Sequence, residues 1–205
     1  MIGVLDYGVG NIGSILNMIK KVGAEGIAVQ TATQADSCAK LILPGAGAFD
    51  TGVTLLERSG LWDAVQNAHS AGKPILGICL GMQLLGRSSE EGTKAGLGLL
   101  PFDGKKFQME AQPELRVPHM GWNEVSILQK DAPLTQGLES NPRFYFVHSY
   151  YAVCDTPSDV FMTCNYGGLF AAAVHRDNVW GVQFHPEKSH RFGMGIMRNF
   201  AKECM

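Results

Sequence analysis

The sequence predicts an α/β protein with a doubly wound, mostly parallel sheet flanked by helices and a smaller antiparallel region in its second half. Three observations lead to this fold class. Several strand-length apolar runs lack polar alternation, as parallel strands covered on both faces do. Stretches with helical spacing separate these runs, which indicates right-handed β–α–β crossovers. From about Gly96 onward, shorter segments with aromatic and turn residues replace this alternation.

In the first half, short apolar runs alternate with helical stretches. The first helix is marked by apolar residues at helical spacing (Ile12, Ile15, Ile19), and the glycines that follow it mark its end. The predicted strands are residues 2–5, 27–29, 41–43 and 74–78, and the predicted helices are residues 12–22, 55–71 and 80–85.

The second half is predicted to be more antiparallel and to end in a strand and a helix. Its predicted strands are residues 105–107, 122–128, 143–153, 160–166 and 179–185, and its helix is residues 192–202. No linker, repeat or low-complexity segment interrupts the chain, so residues 1–205 are predicted to form a single domain.

The composition is that of an ordinary globular protein and not of a disordered chain. Hydrophobic residues make up 45% and charged residues 18% of the chain, and the formal net charge is -2. No long basic run or membrane-length apolar run is present, so neither nucleic acid nor membrane is an expected partner. Five cysteines without a C-x-x-C pair argue against a disulfide framework or a zinc site. We therefore expect a cytoplasmic protein without a metal or a cofactor.

The most informative motif is the pentapeptide of residues 77–81, Gly-Ile-Cys-Leu-Gly. It has the form of a strand-to-helix elbow that carries a nucleophile, with cysteine at its centre. At the start of the helix that follows, Cys79 would meet free N–H groups and a helix dipole that favour a thiolate. The backbone N–H of Leu80 would point to where an oxyanion develops. The alternative is that Cys79 is a small core residue, as we expect for the other four cysteines.

A base for this thiol is predicted at His185, with Glu187 as its orienting partner. Side chains at i and i+2 of an extended segment share a side, and Pro186 favours an extended His185. Together with Cys79 they would form a Cys-His-Glu catalytic triad. The alternatives are a structural histidine, or metal ligands at His185, Glu187 and His190. No second imidazole cluster in the sequence completes a metal site.

A second glycine motif resembles a dinucleotide site but lacks one part of it. Residues 8–13 match G-x-G-x-x-G after a strand and before a helix. The acidic residue that would hold a ribose is missing at the end of the second predicted strand. We interpret these glycines as a tight turn that brings the backbone close to another segment.

Six motifs together resemble the class I (triad) glutamine amidotransferases, and within them the HisH branch, the glutaminase subunits of imidazole glycerol phosphate synthase. They are residues 6–11 (Asp-Tyr-Gly-Val-Gly-Asn), 44–49 (Pro-Gly-Ala-Gly-Ala-Phe), 77–83 (Gly-Ile-Cys-Leu-Gly-Met-Gln), 118–123 (Pro-His-Met-Gly-Trp-Asn), 145–150 (Tyr-Phe-Val-His-Ser-Tyr) and 183–187 (Gln-Phe-His-Pro-Glu). The resemblance extends over the whole chain, and the 118–123 motif is specific to this branch.

The resemblance implies a reaction and the residues that perform it. Cys79 would attack the side-chain amide of glutamine, release ammonia and form a glutamyl thioester that water converts to glutamate. The family's glutamine-binding positions match Gln83, Glu91, Ser149 and Tyr150. Its oxyanion positions match Gly45, Ala46 and Gly47, together with Leu80.

A partner is expected on independent grounds. Free ammonia is lost to dilution and protonation, and the chain shows no second domain or phosphate-binding lysine loop for an acceptor. The resemblance implies that this partner is the cyclase subunit HisF, a (β/α)8 barrel that completes histidine-pathway chemistry as a heterodimer. The residues expected to contact it are Asn11, Met120, Trp122, Asn123 and Lys188, although Trp122 is equally consistent with a core position.

Three other functions remain open at this point. A paralogous subunit with the same triad could supply ammonia to another pathway, such as amidation of a cell-surface sugar. A triad subunit for pyridoxal phosphate, anthranilate or purine synthesis fits the 118–123 and 145–150 motifs less well. A non-enzymatic regulator on the same fold is expected to lack a triad member, and this chain has all three.

Overall fold

The computed structural model describes residues 1–108 and 115–204. The strands are β1 (Ile2–Leu5), β2 (Gly26–Val29), β3 (Lys40–Leu43), β4 (Ile75–Ile78), β5 (Ser88–Ser89), β6 (Phe102–Lys106), β7 (His119–Ile127), β8 (Arg143–His148), β9 (Tyr150–Cys154), β10 (Val160–Asn165), β11 (Leu169–Arg176) and β12 (Val179–Val182). The helices are α1 (Ile12–Lys21), α2 (Ala32–Ser37), α3 (Phe49–Arg58), α4 (Leu61–Ser70), α5 (Leu80–Leu85) and α6 (His190–Lys202).

One mixed sheet runs through both halves of the chain. Its main path has the order β2-β1-β3-β4-β12-β11-β10-β7-β8, while β5, β6 and β9 extend it to the side. The pairs from β2 to β12 are parallel, and those from β12 to β8 are antiparallel. The predicted fold class is thereby confirmed, with the last strand inserted beside β4 and not at the edge.

Helices cover both faces of the parallel half, as a doubly wound sheet requires. Successive residues of β3 point to opposite faces, so Ile42 lies in the core under α1 and α6, whereas Leu41 and Leu43 lie under α3, α4 and α5. Every residue of β1, β4 and β12 is buried, which explains their continuous apolar sequences. Of the helices in the described ranges, none is long and apolar enough to cross a bilayer.

The structure differs from the predicted elements in several places. The segment predicted as one strand over residues 143–153 is two strands, because β8 ends at His148 and β9 begins at Tyr150 and pairs with a different neighbour. The helical stretch predicted over residues 55–71 is two helices, because Gly60 adopts a left-handed conformation with φ 73° between α3 and α4. The short helix α2 and the strand β11 have no predicted counterpart. Strand β12 ends at Val182, three residues before His185, so the histidine lies beyond the strand that was predicted to contain it.

Candidate active site

The turn between β4 and α5 is the sharp elbow that the glycine-flanked cysteine predicted. Cys79 has φ 53° and ψ -110°, a conformation that residues with a side chain rarely adopt. Its N–H donates to the carbonyl of Val182 at 2.8 Å, which ties the elbow to β12. The turn therefore presents the thiol at the carboxyl edge of the parallel strands, where α/β sheets bind ligands.

The two flanking glycines are required by close backbone approaches. A Cβ on Gly77 would lie 2.7 Å from the backbone nitrogen of Met82, in the first turn of α5. A Cβ on Gly81 would overlap the carbonyl oxygen of Leu43 at the end of β3. The elbow is therefore packed against a neighbouring strand as well as against its own helix.

His185 and Glu187 form a buried pair beside this elbow. The Nδ1 atom of His185 lies 2.7 Å from Oε1 of Glu187, and their side chains are 5% and 4% exposed. The extended i, i+2 geometry predicted for the pair is wrong at its second member, because Glu187 lies in the 3-10 turn Pro186–Lys188. The hydroxyl of Ser189 closes this turn by donating to the carbonyl of His185 at 2.6 Å.

The surroundings of His185 favour its protonated form. Burial opposes protonation, but the proximity of Cys79 and the hydrogen bond and charge of Glu187 outweigh it and raise the imidazole pKa to about 10. Its Nε2 atom nevertheless has no hydrogen-bond partner of normal geometry within the described ranges. Cys79 and His185 are thus adjacent but not closed into a short hydrogen bond, as is common before substrate binds.

We expect Glu187→Gln to lower the pKa of His185, because the amide carries no charge. A raised histidine pKa stabilises the fold fully below its ordinary value of 6.5, and this contribution is lost as pH rises towards 10. The free energy of unfolding should therefore fall across this window, and should fall less in Glu187→Gln. Urea unfolding at a series of pH values measures this free energy for Glu187→Gln and for the unchanged chain. The control is Glu139→Gln at an exposed ion pair; equal pH slopes for Glu187→Gln and the unchanged chain would contradict the expectation.

A cavity of about 260 Å³ opens directly onto the thiol. It contains most of the predicted catalytic, oxyanion and substrate residues, and its lining is Ala46, Gly47, Cys79, Leu80, Gln83, Glu91, Pro118, Val147, His148, Ser149, Tyr150 and His185. Its volume is near the lower limit of small-molecule sites and suits an amino acid.

Two of the predicted substrate residues already have protein partners. Nε2 of Gln83 donates to the carbonyl of Tyr150 at 3.1 Å and to Oε1 of Gln183 at 3.2 Å. The carboxylate of Glu91 accepts the backbone N–H of Phe49 at 2.9 Å and so caps the start of α3. Both contacts fix side chains that line the cavity.

The structure adds residues that the sequence motifs did not single out. Gln183 is fully buried, and its Nε2 atom lies 3.8 Å from the sulfur of Cys79. The Cys79 thiol also lies 3.8 Å from the carbonyl of Val147 at the end of β8. Gln183 is the first residue of the 183–187 motif, but nothing in the sequence assigned it a role at the thiol.

The segment of residues 44–47, which contains the predicted oxyanion positions, is held at its start by Tyr7, whose hydroxyl donates to the Pro44 carbonyl at 2.6 Å. A Cβ on Gly10 would lie 2.9 Å from Cβ of Pro44, so the N-terminal glycine turn does bring a backbone close to another segment. Gly47 has φ 106°, which favours glycine there.

The five residues predicted to contact a partner lie in different environments. Met120 is 62% and Trp122 39% exposed, and the Trp122 ring stacks on His190 with centroids 5.3 Å apart. Asn11 caps α1 by accepting the N–H of Ser14, and Lys188 lies over the Tyr145 ring at 5.6 Å. These placements favour a surface position for Trp122 over a core one.

A second cavity of about 180 Å³ is lined by His185 and Glu187 but not by Cys79. Asn11 and Lys188 line it together with His185, Glu187 and the Pro44–Gly45 backbone. Asn123 lies elsewhere on β7, where its Nδ2 atom donates to the Asn165 carbonyl at 3.1 Å.

The other cysteines lie in environments that suppress reactivity. Burial raises the pKa values of the Cys154, Cys164 and Cys204 thiols to about 12. Cys38 is buried as well, and all five cysteines are free thiols. Across residues 1–108 and 115–204, no group of three or more His, Cys, Asp or Glu side chains is arranged to hold a metal ion.

A comparison with protein-family models gives a class of enzyme that fits this site. The site consists of the strained cysteine elbow, the buried His–Glu pair and the amino-acid-sized cavity. Residues 3–204 match the family model for class-I glutamine amidotransferases. The chain belongs to the class-I glutamine amidotransferase family.

Relatives that match nearly the whole chain show which branch of this family it resembles. The chain is 51% identical to imidazole glycerol phosphate synthase subunit HisH 2 of Pseudomonas aeruginosa, over 98% of this chain and 99% of that protein. It is 48% identical to the subunit HisH 2 of Methanococcus maripaludis over the whole of both chains. The structure of PurLQS from Thermotoga maritima shares the fold, with a TM-score of 0.69 and 20% identity over 97% of this chain and 94% of that one.

Proposed function

We propose that this chain is the glutaminase subunit of imidazole glycerol phosphate synthase and hydrolyses glutamine to glutamate and ammonia for histidine biosynthesis. The observation that carries the proposal is the cysteine at φ 53°, facing a cavity of about 260 Å³ with the buried His185–Glu187 pair beside it. The full-length similarity to HisH subunits supports the pathway.

In the proposed mechanism, the Cys79 thiolate attacks the carboxamide carbon of glutamine. The backbone N–H groups of Leu80 and of the segment 45–47 stabilise the resulting oxyanion. Protonated His185 gives its proton to the departing nitrogen, the C–N bond breaks, and ammonia and a glutamyl thioester remain. Neutral His185 then takes a proton from water, whose oxygen attacks the thioester. The C–S bond breaks, glutamate leaves, and the thiolate and imidazolium are restored.

Glutamine itself is proposed to be held by Gln83, Glu91, Ser149 and Tyr150. All four line the cavity that contains the thiol, which supports their assignment. Gln83 is fixed by Tyr150 and Gln183, and Glu91 by the N–H of Phe49, so little side-chain entropy remains to be lost on binding.

The partner is proposed to be the cyclase subunit HisF, a (β/α)8 barrel, in a heterodimer. The exposed apolar side chains of Met120 and Trp122 provide an interface of suitable composition. Asn11, Lys188 and Asn123 are proposed to extend it. The second cavity supports this arrangement, because Asn11 and Lys188 line it beside the triad.

We further propose that residues 1–205 act as a single domain in the cytoplasm. The single sheet that joins both halves supports one domain. Five free cysteines suit a reducing compartment.

We expect the isolated chain to release glutamate slowly, because the glycine-containing oxyanion segment must still be set by the partner. Adding both the cyclase barrel and its phosphorylated ligand should raise glutamate release steeply, while either addition alone should raise it little. Enzymatic measurement of glutamate in these four mixtures checks the expectation. A fast isolated chain would contradict the proposed dependence on the partner.

The same assay separates the histidine pathway from a paralogous one. If the histidine-pathway barrel gives no activation while Cys79 still reacts with a glutamine-like electrophile, the glutaminase chemistry stands and the acceptor lies in another pathway. Amidation of a cell-surface sugar is the alternative to test next.

A further inference from the structure

Two buried histidines lie edge to face next to the glutamine cavity, with ring centroids 5.1 Å apart. His119 of β7 and His148 of β8 are direct partners in the antiparallel register. Nδ1 of His119 lies 3.0 Å from Nε2 of His148, and the two residues are 3% and 5% exposed, respectively. Neither residue has a role in the mechanism above, although His148 lines the cavity.

The hydrogen bonds of this pair define one arrangement of protons. Nδ1 of His148 lies 2.8 Å from the carbonyl of Tyr150, so it must carry the proton and leave Nε2 as an acceptor. Nδ1 of His119 then donates to His148. Nε2 of His119 is left to accept from Asn123, whose Nδ2 atom is 3.5 Å away.

This arrangement requires both rings to be neutral, and their environment keeps them so. Burial lowers the pKa of His119 to about 4. Burial, with further contributions from His119 and His185, lowers the pKa of His148 to about 3 even though its bond to Tyr150 acts in the opposite direction. Both rings therefore stay neutral at the pH of a cell.

Aromatic packing also fixes the orientation of the rings. His119 lies between Phe146 and Tyr166, with centroid distances of 4.8 and 4.0 Å and near-parallel planes. Phe107 lies against both histidines. A ring held on both faces cannot turn its donor away from His148 without disturbing this cluster.

The Tyr150 carbonyl connects the pair to the reacting atoms. It also accepts Nε2 of Gln83, which in turn donates to Gln183, and Gln183 approaches the sulfur of Cys79 at 3.8 Å. Ser149 and Tyr150 are two of the four residues proposed to hold glutamine. The orientation of their backbone therefore depends on the bond from His148.

We propose that His119 and His148 are positioning residues that hold the Ser149–Tyr150 backbone in the glutamine-binding conformation and tie it to strand β7. This inference rests on the proposed glutaminase function. Strand β7 also carries Met120 and Trp122, so the pair links the glutamine pocket to the exposed strand proposed to meet the cyclase.

The test compares His119→Phe with His119→Asn in the complex with the cyclase barrel. Phenylalanine keeps the ring stack but removes the donor, whereas the asparagine amide places a donor near the position of Nδ1. His119→Phe should raise KM for glutamine roughly tenfold, because a buried acceptor loses its donor. Its kcat should change less than KM, and His119→Asn should restore most of the loss. His175→Phe, a histidine stacked on Trp180 away from the cavity, is the matched control.

The outcomes distinguish a role in positioning the Ser149–Tyr150 backbone from a role in packing alone. A KM for His119→Phe within twofold of the unchanged chain would overturn the proposal, and so would an equal loss in His119→Asn. If His119→Phe does not fold, His148→Gln replaces it, since glutamine can face His119 but does not reach the Tyr150 carbonyl. The same KM rise then supports the proposal, and an unchanged KM overturns it.

A chloroketone analogue of glutamine, which labels the Cys79 thiol covalently, tests this inference separately from the proposed function. The rate of labelling can be measured without any partner, and it should fall in His119→Phe by a similar factor. An unchanged chain that is labelled but never activated by the cyclase would contradict the proposed pathway alone. Equal labelling rates in all variants would contradict the positioning role alone.

Discussion

Replacing Cys79 by alanine is expected to abolish glutamine hydrolysis, with a loss of at least about a thousandfold in kcat. No other thiol can replace it, because Cys38, Cys154, Cys164 and Cys204 are buried residues or have raised pKa values outside the cavity. The fold should persist, since alanine keeps the Cβ atom and the elbow is held by the bond from the residue-79 N–H to Val182.

Glutamate release, thermal unfolding and binding to the cyclase barrel should all be measured on the same preparations. Cys164→Ala is the matched control, because it removes a buried thiol that lies outside the cavity. We expect it to retain kcat. Activity of Cys79→Ala within tenfold of the unchanged chain would exclude the proposed nucleophile.

Gly81→Ala is expected to cause the largest loss of stability among single methyl additions near the site. The added Cβ would overlap the carbonyl oxygen of Leu43, which belongs to a fully buried residue of the central sheet. The clash can be relieved only by moving α5 away from β3. We expect the free energy of unfolding to fall by about 3 kcal/mol or more, at the upper end of overpacking effects. Activity should fall as well, because α5 begins directly after Cys79.

Gly13→Ala provides the matched control for this substitution. Gly13 lies inside α1, and a Cβ there would have no heavy atom within 4 Å. Alanine should stabilise the helix by about 0.5–1 kcal/mol, because it restricts the unfolded chain and has a higher helix propensity. Urea unfolding of both variants gives the comparison, and similar stabilities would contradict the packing described at the elbow.

Much of the parallel half could be predicted because its local signals agree with its packing. The strands β1, β3 and β4 are apolar runs ended by turn residues, and each is buried in the sheet. The elbow was predictable for the same reason, since glycines, cysteine and helix form one local motif. The pairing of His185 with Glu187 followed from their proximity in sequence, although the turn that joins them did not.

The elements that were missed have weak or ambiguous local signals. Strand β11 contains three consecutive alanines, which fit a helix as well as a strand, and only its position between β12 and β10 decides. Helix α2 has a Thr31–Gln34 capping box but only six polar or small residues. Local propensity alone could not have assigned either element.

Contacts across the sheet could not be read from one sequence. The bond between Tyr7 and Pro44 joins residues 37 positions apart, and the contact between Gln183 and Cys79 joins residues 104 positions apart. The His119–His148 pair depends on the register of β7 with β8. None of these three contacts can be predicted before the order and register of the strands are known.

The mixed sheet places the proposed chemistry and the exposed apolar side chains on different strands. The proposed nucleophile and base follow β4 and β12 in the parallel half. Strand β7 carries the exposed Met120 and Trp122, and its neighbour β8 leads to the wall of the cavity. Substitutions at the exposed Met120 and Trp122 are therefore expected to change docking of the proposed partner without touching the thiol. Substitutions of the buried His119 and His148 on the same two strands are expected to reach the glutamine pocket as well.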